Sequence, residues 1–227
     1  YLKYQNIIEE NPFNQLRFQF RTEKILPKTI PYDILKSIFL YLEQRVIVSK
    51  TDYQKQHAER NLLIISLLLS TGIRISELCH IHLKDINLSN KTLHIIGKGK
   101  KERILFLGDQ KTFNLLETYI NKTRNESNDF LFPGKHSLKP LSEQSVRLVI
   151  KRIVEQNNFS RTITPHMFRH SFATMLLDSD VDIRYIQQIL GHSSISITQI
   201  YTHVSHSKQK EILSSFNPIS VIHSEIE

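Results

Sequence analysis

The chain has 227 residues, of which 40% are hydrophobic and 23% charged, so it can bury a core without help from a metal or a disulfide. Its 30 Lys and Arg residues outnumber its 22 Asp and Glu residues and give a net charge of +8, which favours a polyanionic partner. The one cysteine, Cys79, excludes an intrachain disulfide and a Cys-x-x-Cys metal pair, and it indicates a reducing, cytoplasmic location.

The first 30 residues mix polar and apolar side chains without a sustained period, and Pro12 and Pro27 interrupt them. This pattern predicts a linker that runs over a surface, with a domain boundary upstream. The most apolar run, residues 62–69, is far shorter than the roughly 20 residues that a membrane span needs. We therefore expect a buried core helix there and no membrane partner.

Helical periodicity begins at Tyr32, after which apolar residues recur three and four positions apart. These residues are Ile34, Leu35, Ile38, Phe39 and Leu42. A second helix is predicted from about residue 54 to residue 70, and Thr71-Gly72 ends it. Arg74 comes next, followed by a short third helix over residues 75–82.

Between residues 83 and 107 the apolar period changes to two, which predicts strands. Leu93 and Ile95, and then Ile104 and Phe106, alternate with polar residues on either side of a glycine- and lysine-rich turn. We expect a small antiparallel sheet with residues 97–101 at its tip. Helical patterns return over residues 109–124, 142–158, 166–178, 182–190, 194–203 and 205–215. The predicted fold is mainly α with a small antiparallel β-sheet, which is an α+β class.

The first candidate functional residue is Arg74, which lies between the Thr71-Gly72 break and the start of a helix. The N–H groups at the start of a helix attract anions, so an arginine here suits a phosphate. Glu77 lies three residues on along the same helical face, where it can orient Arg74. A surface Arg–Glu pair of little energetic value also explains these two residues.

The second candidate is Lys98 in the predicted hairpin turn. Its flexible stem can carry an ammonium into a DNA groove or against a leaving oxygen. Lys100, Lys101 and Arg103 beside it predict attraction to a phosphate backbone. A lysine-rich turn that only keeps a sheet edge soluble is the structural alternative.

The third candidate is the helix that begins behind Thr164-Pro165, because His166 and Arg169 share one of its faces. They combine a proton-transfer group with a bidentate phosphate ligand, which phosphoryl transfer needs. His170 points elsewhere, and we expect a structural role for it.

The fourth candidate is the segment from Gly191-His192 to Tyr201, nine residues after His192. A phenol is a poor nucleophile at its free pKa of about 10, so a catalytic tyrosine needs cationic neighbours. The other candidates supply these cations. Taken alone, Tyr201 is better explained as one of eight tyrosines that pack an apolar ring.

With these motifs the chain resembles the tyrosine recombinases, also called the phage integrase family, over residues 30–216. The matching segments follow the family's order and separations: residues 69–78, 97–103, 164–174, 190–194 and 198–203. One segment alone is weak evidence, whereas four ordered boxes and a terminal tyrosine are highly specific. The residues of these motifs are especially similar to those of bacterial Xer-type enzymes and of integrases of phages and mobile elements.

The resemblance implies a catalytic set, with Glu77 at the family's acidic position. The set is Arg74, Lys98, His166, Arg169, His192 and Tyr201. It also implies that residues 1–30 are an interdomain linker with the remnant of a missing N-terminal core-binding domain. Residues 31–216 would then be the catalytic domain, and residues 217–227 a C-terminal tail that docks in trans, docks in cis or is inert.

The family's chemistry implies that Tyr201 attacks a DNA phosphodiester and leaves a 3′-phosphotyrosine and a free 5′-hydroxyl. The hydroxyl of a partner strand then reverses the step, which yields integration, excision or resolution. His166 would accept the tyrosine proton and Lys98 would protonate the leaving oxygen.

Arg74 and Arg169 would hold the non-bridging oxygens, and His192 would add a hydrogen bond. No metal or cofactor is expected. The implied partners are a double-stranded recombination site and further copies of the chain, which form a tetramer on DNA through the C-terminal segment.

Three other functions fit parts of the pattern. A type IB topoisomerase shares the phosphotyrosine chemistry but relaxes supercoils without a specific site, and a DNA-binding protein could retain the residues after losing catalysis. A zinc enzyme fits least, since only His203 and His206 have ligand spacing. Arg147, Lys151 and Arg152 could touch backbone phosphates, although an exposed helix face explains them equally well.

Overall fold

The computed structural model describes residues 4–5, 7, 28–97, 102–123, 129–134, 139–191 and 206–226. In the first half of the chain the elements are α1 Tyr32–Ile47, α2 Asp52–Thr71, α3 Ile75–Cys79, β1 Ile86–Asn87, β2 Thr92–Ile96 and β3 Glu102–Phe106. In the second half they are α4 Gln110–Thr123, α5 Glu143–Gln156, α6 Pro165–Asp178, α7 Ile183–Leu190, α8 His206–Ser215 and α9 Pro218–Ile226.

Helix α2 is the centre of the fold. Its first turn is capped by Thr51, whose side-chain oxygen accepts a hydrogen bond from the Gln54 N–H at 3.2 Å. Every residue from 63 to 71 is buried, and α1, α4, α6 and α9 pack against the helix. Burial on all faces explains why this stretch contains the most apolar run of the sequence.

The sheet has the order β1-β2-β3, and both strand pairs are antiparallel. Across β2 and β3, Leu93 is opposite Leu105 and Ile95 is opposite Arg103. Residues directly opposite each other project to the same face, so Arg103 lies on the face that buries the other three residues. The register therefore turns a charged side chain toward the interior.

The predicted antiparallel sheet is confirmed, but the prediction of which β3 residues form its apolar face was wrong. The period-two pattern selected Ile104 and Phe106 as its apolar positions, whereas Leu105 is the residue that is 1% exposed and Ile104 is 38% exposed. Residues 104–107 are all apolar, so the alternation has two solutions. Pairing with β2 selects the solution in which Leu105 and Arg103 point inward.

The helices that the sequence predicts within the described residues are present, and the mainly α class is confirmed. Helix α3 ends at Cys79, which is earlier than the predicted end at residue 82. The helix predicted over residues 194–203 and most of the linker predicted over residues 1–30 lie outside the described residues. None of the described helices combines the length and apolar character needed to cross a membrane.

The C-terminal segment forms α9, which packs on its own chain against α1, α2, α4 and α6. Ile219 and Ile222 are both 0% exposed in this contact. Asp109, just before α4, accepts a hydrogen bond from Ser220 Oγ at 2.8 Å and lies 3.1 Å from His223 Nδ1. The sequence left docking in trans, docking in cis and an inert tail open. In the structure of the single chain, the tail docks in cis.

Helix α8 lies close to the turn between β3 and α4. A Cβ at Gly108 would overlap the backbone carbonyl of Leu213, so only glycine permits this approach. The side chain of Asn217, between α8 and α9, donates a hydrogen bond to the Ser70 carbonyl at 3.2 Å. Both C-terminal helices are thus attached to the body that contains α2.

The burial of α9 predicts that the C-terminal segment contributes to stability. We expect Ile222→Ala to lower the free energy of unfolding by about 2–5 kcal/mol, because it removes buried methyl groups and leaves a cavity. The neighbouring Val221 is 49% exposed, and Val221→Ala should change stability by less than about 0.5 kcal/mol. Urea unfolding followed by circular dichroism measures both, and equal small effects would contradict cis docking.

Candidate functional site

Two left-handed glycine turns form the frame of the site. Gly72 ends α2 with φ 61°, and Gly191 ends α7 with φ 64°, a conformation that favours glycine. A Cβ at Gly72 would lie 2.6 Å from Phe172 and 2.7 Å from Leu190, so the two turns also pack closely. In the sequence, Arg74 comes two residues after Gly72, and His192 directly follows Gly191.

Arg169 joins the two turns. It projects from α6, is 6% exposed, and donates hydrogen bonds from Nη1 to the Gly72 carbonyl at 2.6 Å and from Nη2 to the Leu190 carbonyl at 2.7 Å. Both acceptors are carbonyls at helix C-termini, where the helix dipole concentrates negative charge. The guanidinium therefore fixes the ends of α2 and α7 against α6.

Glu77 is the acceptor that two further arginines share. Its carboxylate accepts hydrogen bonds from the Arg74 N–H and the Arg74 Nη1, both at 3.0 Å. It also accepts from Arg103 Nη1 at 3.0 Å and Arg103 Nη2 at 2.7 Å. A carboxylate offers about four acceptor positions, so Glu77 is saturated and has no capacity left to act as a base.

Arg103 reaches Glu77 because it lies on the inward face of β3. Its side chain is 13% exposed, and a Cβ at Gly191 would lie 3.1 Å from its Cδ. The strand after the predicted lysine turn is therefore in contact with both α3 and the end of α7. The sequence interpretation assigned Arg103 to phosphate attraction, whereas in the structure its guanidinium is paired with Glu77.

The charges of this cluster determine its protonation. Burial raises the pKa of Glu77, but the hydrogen bonds and charge of Arg103, followed by those of Arg74, outweigh burial and lower the pKa to about 2. Burial, followed by the charges of Arg74 and Arg103, lowers the pKa of Arg169 to about 10. At neutral pH three guanidinium groups thus face one carboxylate, and an anion would relieve the remaining positive charge.

His166 lies on the first turn of α6 and is exposed. It lines one side of a cavity of about 600 Å³ between α5 and the start of α6, which Arg147, Lys151 and Arg161 also line. The pKa of His170 is lowered, mainly by burial and then by the charges of His166 and Arg169. His166 thus lies beside this cavity, three residues before the buried Arg169 on the same helix.

The structure brings together Arg74, Glu77, Arg103 and Arg169. The predicted residues Lys98, Lys100, Lys101, His192 and Tyr201 lie outside the described residues. What the sequence analysis missed is the contact between Arg103 and Glu77. The signal was present in the strand register, since a β3 with Leu105 inward also turns Arg103 inward.

Comparison with known proteins gives a consistent result. The family model described as "Phage integrase family" matches residues 40–208, a range that contains every predicted site residue. A tyrosine recombinase of Agathobacter rectalis is 52% identical over 227 residues, covering 98% of this chain and 73% of the relative. Tyrosine recombinase XerD of Staphylococcus haemolyticus is 36% identical over 208 residues, covering 89% and 70%.

Solved structures show the same fold. The XerA recombinase aligns with a TM-score of 0.62 and 28% identity, covering 86% of this chain and 67% of that one. The XerH site-specific recombinase, in a post-cleavage complex with its difH substrate, aligns with a TM-score of 0.63 and 23% identity, covering 91% and 55%. At 23% identity, the similarity to XerH supports a shared fold and nothing more.

Because the Glu77 carboxylate accepts four hydrogen bonds, we expect its removal to lower the stability of the chain strongly. We expect Glu77→Gln to lower the free energy of unfolding by about 3 kcal/mol at neutral pH, because two arginines lose their buried partner. Glu143 forms an exposed pair with Arg147, and Glu143→Gln should cost less than about 1 kcal/mol. Urea unfolding of the three proteins measures the difference.

The difference in stability between the native chain and Glu77→Gln should depend on pH. The folded pKa of Glu77 is lowered, so its contribution is complete above its ordinary value of 4.5 and decreases as the pH falls toward about 2. The stability gap between the native chain and Glu77→Gln should therefore close over this range. A gap that stays constant down to about pH 2 would show that the charge of Glu77 is not its cause.

Proposed function

The chain belongs to the phage integrase family and is a tyrosine recombinase, an enzyme that cleaves and rejoins DNA at specific sites; from this premise we propose that its reaction uses Tyr201 as the nucleophile. The phenol oxygen attacks a DNA phosphorus and forms the 3′-phosphotyrosine bond, while the bond to the 5′-oxygen breaks. The 5′-hydroxyl of a partner strand then attacks the phosphotyrosine and releases Tyr201.

The observation that carries this proposal is the arginine cluster. Arg74 is 34% exposed and retains donors beyond those that bind Glu77, so it can reach a phosphate oxygen from the surface. Arg169 uses two of its donors on carbonyls and a guanidinium has five, which leaves three for the second non-bridging oxygen. Donors that are held in place before the reaction stabilise the charge of the transition state.

The proton transfers are assigned to three residues around this cluster. His166 accepts the phenol proton as Tyr201 attacks, and Lys98 donates a proton to the 5′-oxygen as it leaves. His192 adds a hydrogen bond to the phosphate. The phenol proton thus passes to His166, and the proton of the new 5′-hydroxyl comes from Lys98, so the proposal includes no metal and no cofactor.

The three basic residues near the turn have different proposed roles. Lys100 and Lys101 contact the DNA backbone beside Lys98 and supply affinity that does not depend on sequence. The pairing of Arg103 with Glu77 supports a positioning role, in which Arg103 aligns the carboxylate that holds Arg74. A direct contact of Arg103 with DNA would use the 13% of its side chain that remains exposed.

The biological setting is proposed on the same basis. The enzyme acts in the cytoplasm on integration, excision or resolution sites in double-stranded DNA, with residues 31–216 as its catalytic domain and residues 1–30 as a linker. The XerH structures are complexes with the difH substrate in pre-cleavage and post-cleavage states. A tetramer on DNA, formed through the C-terminal segment, completes the proposed working state.

The nucleophile can be identified by covalent trapping. Nicked duplexes that contain a randomised region should form a protein–DNA adduct with the native chain that resists denaturation and chelators, and sequencing the trapped duplexes identifies the site. Tyr201→Phe should abolish the adduct, and the half-buried Tyr41 provides a matched control, since Tyr41→Phe should leave it unchanged. Arg74→Gln should slow adduct formation by about 100- to 1000-fold.

Denaturing gels and gel-shift assays on the same samples separate the alternatives. An adduct that persists in Tyr201→Phe would overturn the assignment of the nucleophile. DNA binding without any adduct, at all sites tested, would favour a DNA-binding protein that has lost catalysis. Relaxation of supercoiled plasmids at unrelated sites would favour the topoisomerase alternative.

The tetramer proposal requires α9 to leave its own chain. Lys36 and Glu225 form a 3.0 Å ion pair between α1 and α9, so Lys36→Cys and Glu225→Cys, joined by a short bis-maleimide, would hold α9 in cis. Mass photometry on site-containing duplexes should show tetramers for the unlinked double variant and smaller complexes for the linked one. Tetramers of the linked protein would exclude exchange of α9.

A further inference from the structure

A second polar cavity lies at the other end of α2, away from the arginine cluster of the site. It has a volume of about 590 Å³ and is lined by the first turns of α2, the end of α4, Pro133, Gly134, Leu141 and α5. Arg60 lines it from α2, eleven residues before Thr71, which is about 17 Å along the helix axis. The cavity is therefore separate from the proposed catalytic cluster.

The lining of this cavity is basic and rich in hydrogen-bond donors. Arg60 and Arg152 line it from two different helices, together with His57, Tyr53 and Tyr119. None of the described residues that line it is acidic. By contrast, the cavity beside His166 includes a glutamate. A cavity with two guanidinium groups and no carboxylate attracts anions.

Arg60 lacks a partner within the described part of the chain. Its Nε is buried without a hydrogen-bond partner, and the described residues provide no ion pair for its guanidinium. The adjacent Glu59 is committed to Lys122 at 2.7 Å. By contrast, Arg169 donates to two backbone carbonyls and Arg103 donates to Glu77.

The described cavity neighbours of Arg60 offer hydrogen-bonding groups and no negative charge at neutral pH. Burial raises the pKa of Tyr119 to about 12, so its hydroxyl stays neutral and can donate a hydrogen bond. Burial, followed by the charge of Arg60, lowers the pKa of His57. Desolvation also lowers the pKa of Arg60 itself. A partly buried charge without a partner is unfavourable, and a bound anion would offset that cost.

We propose that this cavity, lined by Arg60, Arg152 and Tyr119, binds a phosphate group, and that in the DNA complex this group is a backbone phosphodiester. The second half of the proposal rests on the proposed function. A phosphate presents several acceptor oxygens, which matches donors that arrive from α2, α4 and α5. The rise of about 17 Å along α2 from Arg60 to Thr71 is comparable to five base pairs of duplex, so the proposal has one DNA molecule contact both sites.

The cavity would position DNA without reading its sequence. Backbone contacts of this kind set the register of a protein on a duplex, while base contacts determine specificity. Two contacts about five base pairs apart fix the orientation of the duplex over the catalytic cluster. The expected consequence of losing Arg60 is weaker binding on all sequences, with the preference among sequences unchanged.

Salt dependence and single-phosphate neutralisation test the proposal. Arg60→Gln should reduce the slope of log Kd against log salt by about one, and Arg60→Lys should retain most of that slope. The control is Arg45→Gln, which removes the same charge from an exposed position on α1 outside the cavity and should change the slope less. Thermal unfolding of each variant verifies that it is folded.

A methylphosphonate scan identifies the contacted phosphate. Neutral linkages are placed singly along the duplex within one helical turn of the trapped cleavage position. One of them should weaken binding of the native chain and of Arg45→Gln but leave the affinity of Arg60→Gln unchanged, because the partner of that phosphate is already absent. Additive losses at every position would overturn the assignment of Arg60 to a DNA phosphate.

Inorganic phosphate provides an independent arm, since it tests the cavity without DNA. Phosphate, compared with chloride at equal ionic strength, should raise the melting temperature of the native chain but not that of Arg60→Gln. This shift combined with additive methylphosphonate losses would assign the cavity to a free phosphate ligand and overturn the DNA contact. Absence of both effects would overturn the cavity proposal entirely. If the native chain bound no DNA, the proposed function would fail. The phosphate experiment alone would then decide whether the cavity binds a phosphate group.

Discussion

The hydrogen bonds from one buried guanidinium to two helix-terminal carbonyls hold the site together. Arg169 satisfies the Gly72 and Leu190 carbonyls, which end α2 and α7 and which would otherwise be buried acceptors. The chain leaves both turns toward residues of the proposed catalytic set. The position of Arg74 is consequently determined by the packing of three helices, which is more rigid than a loop would be.

The same region accumulates more positive charge than it neutralises. Glu77 is the acceptor for Arg74 and Arg103, and its four hydrogen bonds make the arrangement stable without a ligand. The cavity around Arg60 has no such carboxylate among its described lining residues. The cluster and the cavity thus differ in kind: one is a preorganised site balanced by an internal anion, whereas the other depends on an external one.

The sequence predicted the helices and the cluster residues because both depend on local information. Helical spacing, the Thr71-Gly72 break and the ordered motifs are properties of short segments. The inward face of β3 required its register with β2, since apolar residues occupy both of its faces. Docking of α9 and the cavity at Arg60 depend on surfaces from distant segments, and the polar first half of α2 has the pattern of a solvated face.

The contact between Asp109 and α9 limits what can release the C-terminal helix. Burial raises the pKa of Asp109, but His223 and the Thr112 N–H outweigh it and lower the pKa to about 2. The stabilisation that this carboxylate provides is complete above its ordinary value of 3.8 and is lost only as the pH falls toward about 2. Mild acidification therefore leaves α9 attached at this contact. In the proposed tetramer, release of the helix would require a competing protein surface that covers Ile219 and Ile222, so we expect its attachment to respond to the local concentration of such a surface.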